Sequence, residues 1–268
     1  MKALAEAAAA LLGGTLRTAK ALHGGCLSQI LLITLNDGRE AIVKGGGASL
    51  VEAAMLCAIA ASGAPAPQVF AAEGGILLME AMRADGGLSN AWASLGEALA
   101  KLHATKGNAC GWADDYAFGA VAIENGWMKS WPVFWAERRL LPNCSHVASA
   151  LGRRIEVLAA DLPNRLPELP APSLLHGDLW GGNILAAGNE VTAFIDPACY
   201  YGHGEVDIAM LCLFDGPSPA FYNAYGALEP GWKKRLIIYQ LWPALVHVRL
   251  FGSGYRSMVE RLLSHAGV

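Results

Sequence analysis

Short apolar runs separated by glycine and proline fill the first 80 residues of the chain. Residues 27–45 hold an apolar run through Leu35, the turn sequence Asn36-Asp37-Gly38 and a second apolar run through Lys44. Two such runs on either side of an Asp-Gly turn predict a β-hairpin.

A helix and a further strand follow the hairpin in the pattern. Residues 49–61 have helical composition, and this helix is expected to stop at Gly63, before Pro65 and Pro67. The apolar run from Ile76 to about Met79 predicts a buried strand. Together these elements predict a small lobe in which a helix covers an antiparallel sheet.

Helical periodicity dominates beyond residue 84, so the second part of the chain is expected to be mainly helical. The pattern predicts helices at 92–105, 131–141, 206–214 and 232–250, a strand at 191–196 and a proline-rich connector at 161–173. We therefore predict an α+β, bilobal fold. Its N-lobe comprises residues 1–82 and its C-lobe residues 83–268, with a hinge near 80–87.

Composition and charge limit the class of partner. Of the 268 residues, 54% are hydrophobic and 16% are charged, as in globular proteins with a large core. The formal net charge of −3 supplies no basic surface for nucleic acid or anionic lipid. A small-molecule partner is expected, and neither nucleic acid nor a membrane is.

Two apolar segments resemble membrane-directed sequences without fitting them. Residues 53–72 are rich in alanine, a weak driver of insertion, and contain one glycine and two prolines. The N-terminal stretch MKALAEAAAALLGG has Glu6 inside its apolar part, which favours an amphipathic helix over a signal peptide. A cytoplasmic protein is expected.

The stretch HGDLWGGN, residues 176–183, carries the strongest chemical signal. Asp178 and Asn183 have the separation found in the catalytic loop of protein kinases. There a carboxylate accepts the proton of the attacking hydroxyl and an amide oxygen holds a metal ion. A helix-capping Asp and a turn Asn are the plain alternative.

A second carboxylate strengthens the kinase interpretation. Asp196 ends the apolar strand VTAFID, thirteen residues after Asn183, where a phosphotransfer site needs its second Mg²⁺ ligand. A strand-end Asp that only begins a turn is common. The combined spacing of Asp178, Asn183 and Asp196 predicts a phosphotransfer site.

The first lobe supplies candidate nucleotide-binding residues. Lys44 closes the strand EAIVK and is suited to holding phosphates, and Glu52 is placed to pair with it from the next helix. Gly24 and Gly25, in HGGCLSQ, occupy the place of a glycine-rich phosphate loop. A solvated lysine and an ordinary acid near a helix N-terminus remain alternatives.

Two absences bear on the acceptor. Gly177 stands where kinases controlled by loop phosphorylation carry Arg, and only eleven positions separate Asp196 from Asp207. That leaves no room for an activation segment that docks a peptide. The acceptor is therefore expected to be a small molecule or a protruding adduct.

In combination, these motifs resemble the fructosamine kinase (ketosamine 3-kinase) family, a branch of the protein-kinase-like fold. The resemblance runs from HGGCLSQ to the end of YQLWPALVHVRLFGSGY, and includes HGDLWGGN, FIDPACYYGHGEVDIAM and NGWMKSWPVFWAERRL. It implies ATP-dependent phosphorylation of the sugar 3-hydroxyl of a ketosamine, with release of the amine from an unstable product. Fructosamine and ribulosamine are both candidate acceptors.

The resemblance also implies roles for individual residues. Asp178 would be the base, Asn183 and Asp196 the Mg²⁺ ligands, and Lys44 and Glu52 the phosphate-binding pair. The hinge strand Met79–Met82 would face adenine through Glu80 and Met82, and Asp207 would hold the catalytic loop. His176 and Trp180 would contact the sugar substrate, although Trp180 fits a position in the core equally well.

Three hypotheses remain beside this assignment. The acceptor could be another small hydroxyl compound, such as an aminoglycoside or amino alcohol, or the chain could be a nucleotide-binding pseudokinase. Separately, Cys26 lies in the expected phosphate loop, and a redox-linked dimer through Cys26 is a hypothesis that non-reducing gels would test.

Overall fold

An antiparallel sheet organises the first part of the computed structural model, which describes residues 1–22 and 29–268. Its strands are β1 (Leu16–Ala21), β2 (Gln29–Leu35), β3 (Glu40–Gly45), β4 (Val69–Glu73) and β5 (Ile76–Met79). They lie in the spatial order β1-β2-β3-β5-β4. The predicted hairpin is the β2–β3 pair, with Leu32 opposite Ile42.

Two helices cover the opposite faces of this sheet. Alanines of α1 (Lys2–Leu11) pack with Leu31 and Leu78, whereas α2 (Ser49–Ala61) packs with Leu77 and Met79. Successive residues of a strand point to opposite faces, so Leu77 and Leu78 meet different helices. The predicted antiparallel sheet with its helical cover is confirmed.

The sequence pattern missed both edge strands, β1 and β4. Five of the six β1 residues are exposed, and β4 has no fully buried position. An edge strand with little burial lacks the apolar alternation from which strands are predicted. Pairing with a neighbour defines these strands instead: Lys20 lies opposite Leu32, and Ala72 opposite Leu77.

The second part of the chain is mainly helical and contains the largest hydrophobic core. Its helices are α3 (Trp92–Ala104), α4 (Trp131–Phe134), α5 (Ser149–Arg165), α6 (Glu205–Phe214), α7 (Pro219–Tyr225), α8 (Trp232–Phe251) and α9 (Arg256–His265). Three short antiparallel pairs accompany them: β6 (Tyr116–Phe118) with β7 (Val121–Ile123), β8 (Ser173–Leu175) with β11 (Tyr200–Gly202), and β9 (Ile184–Ala187) with β10 (Glu190–Phe194).

Across the described residues, no helix combines the length and apolarity needed to span a membrane.

Two predicted elements in this part differ from the structure. The helix expected over 131–141 is α-helical only through Phe134, continues as a π-helix over Trp135–Leu140, and tightens into a 3₁₀-helix over Leu141–His146. The connector expected over 161–173 is wrong in its first part, because α5 continues through Pro163 to Arg165. Burial of one face of α5 in the core compensates for the hydrogen bond that Pro163 cannot donate.

A backbone hydrogen bond joins the two parts of the chain, because Phe194 N donates to Pro65 O at 2.8 Å. Just after the expected boundary, Gly86 N donates to Ala186 O at 2.9 Å, which fixes the start of the second part to β9. Met55 of α2 is buried in the core of the helical part. The segment between β8 and β11 lies against the sheet, because Asp196 in this segment is 2.7 Å from Lys44 of β3.

Candidate active site

The segment HGDLWGGN forms a loop between β8 and β9. Gly177 adopts a left-handed backbone with φ of 80°, and a Cβ there would overlap the carbonyl oxygen of Ala198. Only glycine fits this position without strain. The absence of Arg at position 177 therefore has a local steric reason.

Asp207, near the start of α6, holds the first residues of this loop. Its carboxylate accepts hydrogen bonds from His176 N at 2.8 Å and from Gly177 N at 2.9 Å. His103 Nε2 lies 3.1 Å from the same carboxylate. Asp207 is almost completely buried, so these polar contacts replace those it would make with water.

Asp215, just beyond α6, holds the middle of the same loop. Gly181 N donates to Asp215 Oδ2 at 2.8 Å. Asp215 carries no signal in the sequence, because nothing in its own neighbourhood along the chain resembles a motif. The two ends of α6 thus fix the loop at two points.

Asp178 and Asn183 are in direct contact within the loop. Asn183 Nδ2 donates to the backbone oxygen of Asp178 at 2.8 Å and to Asp178 Oδ2 at 2.9 Å. This leaves the amide oxygen of Asn183 without a hydrogen bond among the described residues. Burial raises the pKa of Asp178 to about 7, despite the hydrogen bond from Asn183, and the charges of Asp196 and Asp207 act in the same direction.

Lys44 joins the sheet to the catalytic segment. Its Nζ lies 2.7 Å from Glu52 Oε1 on α2 and 2.7 Å from Asp196 Oδ1 after β10. Burial disfavours the charge on Lys44, but the two carboxylates outweigh it and raise the pKa of this lysine above its ordinary value. Lys44 is therefore a fixed positive charge beside Asp196.

Asp196 has an unusual backbone conformation. Among the described non-glycine residues, it is the one with a positive φ, 52°. Asp tolerates this region better than most residues, but the conformation is still strained and such strain is common at functional sites. The turn at Asp196 directs its carboxylate back toward Lys44.

The placement of His176 does not fit the substrate contact expected from sequence. The side chain is fully buried, and its Nε2 donates to Ile195 O at 3.0 Å while its Nδ1 accepts from Asp178 N at 3.3 Å. Burial also lowers the pKa of His176, so the ring is neutral. His176 instead ties the backbone of Asp178 to the residue before Asp196.

A cavity of about 610 Å³ brings these side chains together. Lys44, Glu52, Asp178, Asn183 and Asp196 all line it. Glu80 and Met82 follow β5 outside the described lining, so their contact with adenine stays a prediction. Gly24, Gly25 and Cys26 lie outside the described residues, and the expectations for them also stay predictions.

Trp180 faces this cavity, with 42% of its surface exposed. Its ring makes an edge contact with Phe214, with 6.5 Å between centroids, and a Cβ at Gly182 would overlap the indole. Of the two interpretations considered from sequence, burial in the core does not hold. The indole presents a free surface two residues from Asp178.

Two groups of cavity residues were not assigned from sequence. The β6–β7 hairpin contributes Tyr116 and Phe118, and α8 with the turn after it contributes His247, Phe251 and Tyr255. These residues lie far along the chain from the catalytic loop and belong to no short motif. The only signal was that His247, Phe251 and Tyr255 fall in one of the segments that carry the family resemblance.

Comparison with known protein families gives one match over nearly the whole chain. The family model described as fructosamine kinase matches residues 2–266. A Synechocystis protein provisionally named a ketoamine kinase is 39% identical over 201 residues, 70% of this chain and 66% of that protein. The chloroplastic protein-ribulosamine 3-kinase of Arabidopsis thaliana is 37% identical over 204 residues, 71% of this chain and 61% of that protein.

Solved structures show the same fold. A Thermobifida fusca protein provisionally assigned as a fructosamine-3-kinase superposes with a TM-score of 0.91 at 28% identity, covering 99% of each chain. An aminoglycoside phosphotransferase crystallised with AMP-PNP and hygromycin B gives a TM-score of 0.66 at 15% identity, covering 95% of this chain and 96% of that one. The second likeness concerns the fold alone.

Proposed function

Because the chain belongs to the fructosamine kinase family, we propose that it transfers the γ-phosphoryl group of ATP to the sugar 3-hydroxyl of a ketosamine. The observation that carries the proposal is the convergence of Lys44, Asp178, Asn183 and Asp196 on one cavity. These residues come from three separate parts of the chain. A protein that only bound nucleotide would have no need for a carboxylate placed to accept a proton.

The phosphate side of the proposal rests on Lys44. Held between Glu52 and Asp196, its ammonium group is a positive charge suited to the phosphates of ATP. Glu52 fixes the position of this charge, because a buried ion pair 2.7 Å long leaves Lys44 little freedom. ATP is thus the proposed phosphoryl donor.

Asn183 and Asp196 fit a magnesium ion by the chemistry of their donor atoms. The amide oxygen of Asn183 and Oδ2 of Asp196 accept no hydrogen bond from the described residues, and Mg²⁺ prefers such hard oxygen ligands. We propose that these two residues hold Mg²⁺, which when bound neutralises charge on the transferring phosphate. Lys44 already occupies the other oxygen of Asp196.

Asp178 is the proposed base. The acceptor hydroxyl oxygen bonds to the γ-phosphorus, the bond from that phosphorus to the β–γ bridging oxygen breaks, and its electrons leave with ADP. The hydroxyl proton passes to Asp178, whose carboxylate Asn183 and the loop backbone keep in position. Trp180, exposed beside it, offers an aromatic platform for the sugar face.

An acceptor screen tests the proposal. The purified chain would be supplied with ATP and Mg²⁺ and with a fructosamine, a ribulosamine, an aminoglycoside or no acceptor, and ADP release would be followed. We expect ADP release that depends on a ketosamine, with phosphorus NMR placing the phosphate on the 3-oxygen. Turnover with the aminoglycoside alone would replace the proposed acceptor, and binding of ATP without any transfer would favour a pseudokinase.

A further inference from the structure

Five neighbouring aromatic rings form a continuous surface in the lining of the cavity. We define the aromatic wall as five residues: Trp180, Phe214, His247, Phe251 and Tyr255. Neighbouring ring centroids are 6.5 Å apart for Trp180 and Phe214, 5.1 Å for Phe214 and His247, and 5.3 Å for His247 and Phe251. The wall therefore begins beside Asp178 and extends outward from it.

Three elements hold the aromatic wall in place. Phe214 is the last residue of α6, while His247 and Phe251 lie one turn apart on α8. Gly252 then ends α8 with a positive φ of 84°, and the turn that follows brings Tyr255 to 4.9 Å from His247. The wall is thus built on helices that also belong to the core.

Charge is distributed unequally over the cavity. All charged residues of the described lining belong to the cluster proposed for phosphoryl transfer, which we call the phosphate side: Lys44, Glu52, Asp178 and Asp196. Around the aromatic wall the remaining described lining is apolar, including Met210, Trp242, Pro243, Val246 and Leu250. No cation of the described lining is therefore available to an anionic group bound at the wall.

His247 adds no charge to the wall. Its Nδ1 donates to Pro243 O at 2.8 Å, in the helix that carries both residues. Burial lowers the pKa of His247, which favours the neutral ring. The imidazole therefore behaves as another aromatic surface with one free ring nitrogen.

Part of the wall is open to solvent. Phe251 is 52% exposed and Trp180 is 42% exposed. Exposed aromatic side chains that line one cavity together mark a binding surface more strongly than single exposed residues do. The apolar area at this end of the cavity is unoccupied by any other described part of the chain.

We infer that the aromatic wall binds the substituent on the amine of the acceptor, and that this substituent is apolar or aromatic. The inference rests on the proposed ketosamine kinase activity. A sugar whose 3-hydroxyl meets Asp178 carries its amine only a few bonds away, near Trp180. The ammonium group of the ketosamine gains from aromatic faces, while the substituent beyond it is removed from water by the wall.

The lining of the wall disfavours acceptors with a carboxylate in this position. A carboxylate bound at the wall would lose its hydration without gaining a positively charged partner in the described lining. Ketosamines of apolar primary amines are therefore favoured over those of amino acids.

Three fructosamines that differ only in the amine test this inference. They are the adducts of methylamine, benzylamine and 4-(aminomethyl)benzoate, assayed with saturating ATP and Mg²⁺. Because the ring buries apolar area, we expect kcat/KM for the benzylamine adduct to exceed that of the methylamine adduct by about tenfold. The added carboxylate is expected to lower kcat/KM by about tenfold from the benzylamine value.

Two matched variants locate the effect. Phe251→Ala removes an exposed ring of the wall and is expected to lower kcat/KM for the benzylamine adduct more than for the methylamine adduct. Phe70→Ala removes an exposed phenylalanine on β4, outside the cavity lining, and is expected to leave both values unchanged. Thermal unfolding of both variants confirms that each is folded.

The outcomes separate the inference from the activity on which it rests. Equal kcat/KM for the three adducts, or an equal loss on both adducts in Phe251→Ala, would overturn the role of the wall while leaving the ketosamine kinase activity intact. If no ketosamine is phosphorylated, the proposed activity fails and the inference fails with it.

Discussion

Asp178 owes its environment to neighbours in its own loop and to one carboxylate that is distant along the chain. Asn183 donates to its carboxylate, His176 accepts from its backbone nitrogen, and the buried Asp207 contributes negative charge nearby. A carboxylate with a pKa of about 7 is a stronger base than one at the ordinary value, because its conjugate acid holds the proton more tightly. The position suits acceptance of a proton from a hydroxyl.

Replacement of this carboxylate tests its proposed role as the base. Asp178→Asn retains the size of the side chain but cannot accept the proton, so kcat is expected to fall by about 10²-fold or more. Steady-state kinetics with saturating ATP and ketosamine measure the loss, and titration with an ATP analogue serves as the control for nucleotide binding. Near-normal turnover by the folded variant would exclude Asp178 as the base.

Helix α6 connects the catalytic loop to the core. Asp207 near its first turn and Asp215 just after its last residue accept hydrogen bonds from loop amides. Between them, most of the helix is buried in the large core. The loop therefore takes its position from a buried helix as well as from the left-handed backbone of Gly177.

Asp207→Asn is expected to disturb this support. One of the two oxygens that accept from His176 N and Gly177 N becomes an NH₂ group, which places two donors in contact. We expect the free energy of unfolding to fall by ~1–3 kcal/mol and kcat to fall while the KM for ATP changes little. Denaturant unfolding and kinetics measure the two effects.

A surface Asp provides the control for this variant. Asp114→Asn changes an exposed carboxylate with no side-chain hydrogen bond among the described residues, and its stability should match that of the parent. If Asp207→Asn behaved like Asp114→Asn in both measurements, the carboxylate of Asp207 would not be what holds the loop.

Close packing of α3 on α7 depends on Gly96. A Cβ at this position would overlap Phe221 O, and would lie 2.8 Å from Tyr225 N and 2.9 Å from Ala224 Cβ. Two of these three contacts are with backbone atoms, so a methyl group must push the helices apart. Gly96→Ala is expected to lower the free energy of unfolding by ~1–3 kcal/mol although Ala favours helix.

Gly254→Ala is the matched control for the helix contact. Its Cβ would meet no atom within 4 Å and its φ is not positive, so a small change in the free energy of unfolding is expected. Denaturant titration compares the two variants. A Gly96→Ala protein as stable as the parent would show that α3 and α7 can separate at little cost.

The pH dependence of folding stability involves the whole molecule, since it compares the fold with the unfolded chain. Burial lowers the pKa of His203 to about 3, and the positive charges of Arg235, His103 and Lys106 act in the same direction. Its Nδ1 lies 2.8 Å from the hydroxyl of Tyr239. His203 is therefore neutral in the fold at pH values where an unfolded histidine, with a pKa near 6.5, gains a proton.

The sign of the effect follows from proton uptake. Below about pH 6.5 the unfolded chain binds more protons at position 203 than the fold does, so the free energy of unfolding decreases as pH falls toward about 3. The decrease attributable to His203 approaches ~1.4 kcal/mol per pH unit. His203→Asn, which keeps a polar group near Tyr239, should reduce this slope between pH 6 and pH 4.5.

Denaturant unfolding at a series of pH values measures the two slopes. His176 and His247, whose pKa values burial also lowers, contribute equally to parent and variant. The difference between the slopes therefore isolates His203. Parallel slopes would mean that His203 takes up a proton in the fold as readily as in the unfolded chain.

Local pattern and spacing were enough to predict the central hairpin, β5, the helices α2, α3, α6 and α8, and the loop that holds Asp178, but not α5, α7 or α9. The α2 helix and the β5 strand have the predicted bounds, because apolar periodicity reports the face that a segment buries. Edge strands β1 and β4 bury little and gave no such signal. The π-helix over Trp135–Leu140 was also missed, because its periodicity differs little from that of an α-helix over six residues.

The sequence by itself selected the residues that carry the proposed chemistry, since Lys44, Asp178, Asn183 and Asp196 were chosen by their motifs, their spacing and their places on the predicted elements. Tertiary structure decided what surrounds them. It turned His176 inward to hold the loop and left Trp180 open to the cavity. It also assembled the aromatic wall from α6, α8 and the turn after α8. Spacing reports contacts within one segment, whereas a cavity forms where segments distant along the chain are packed together.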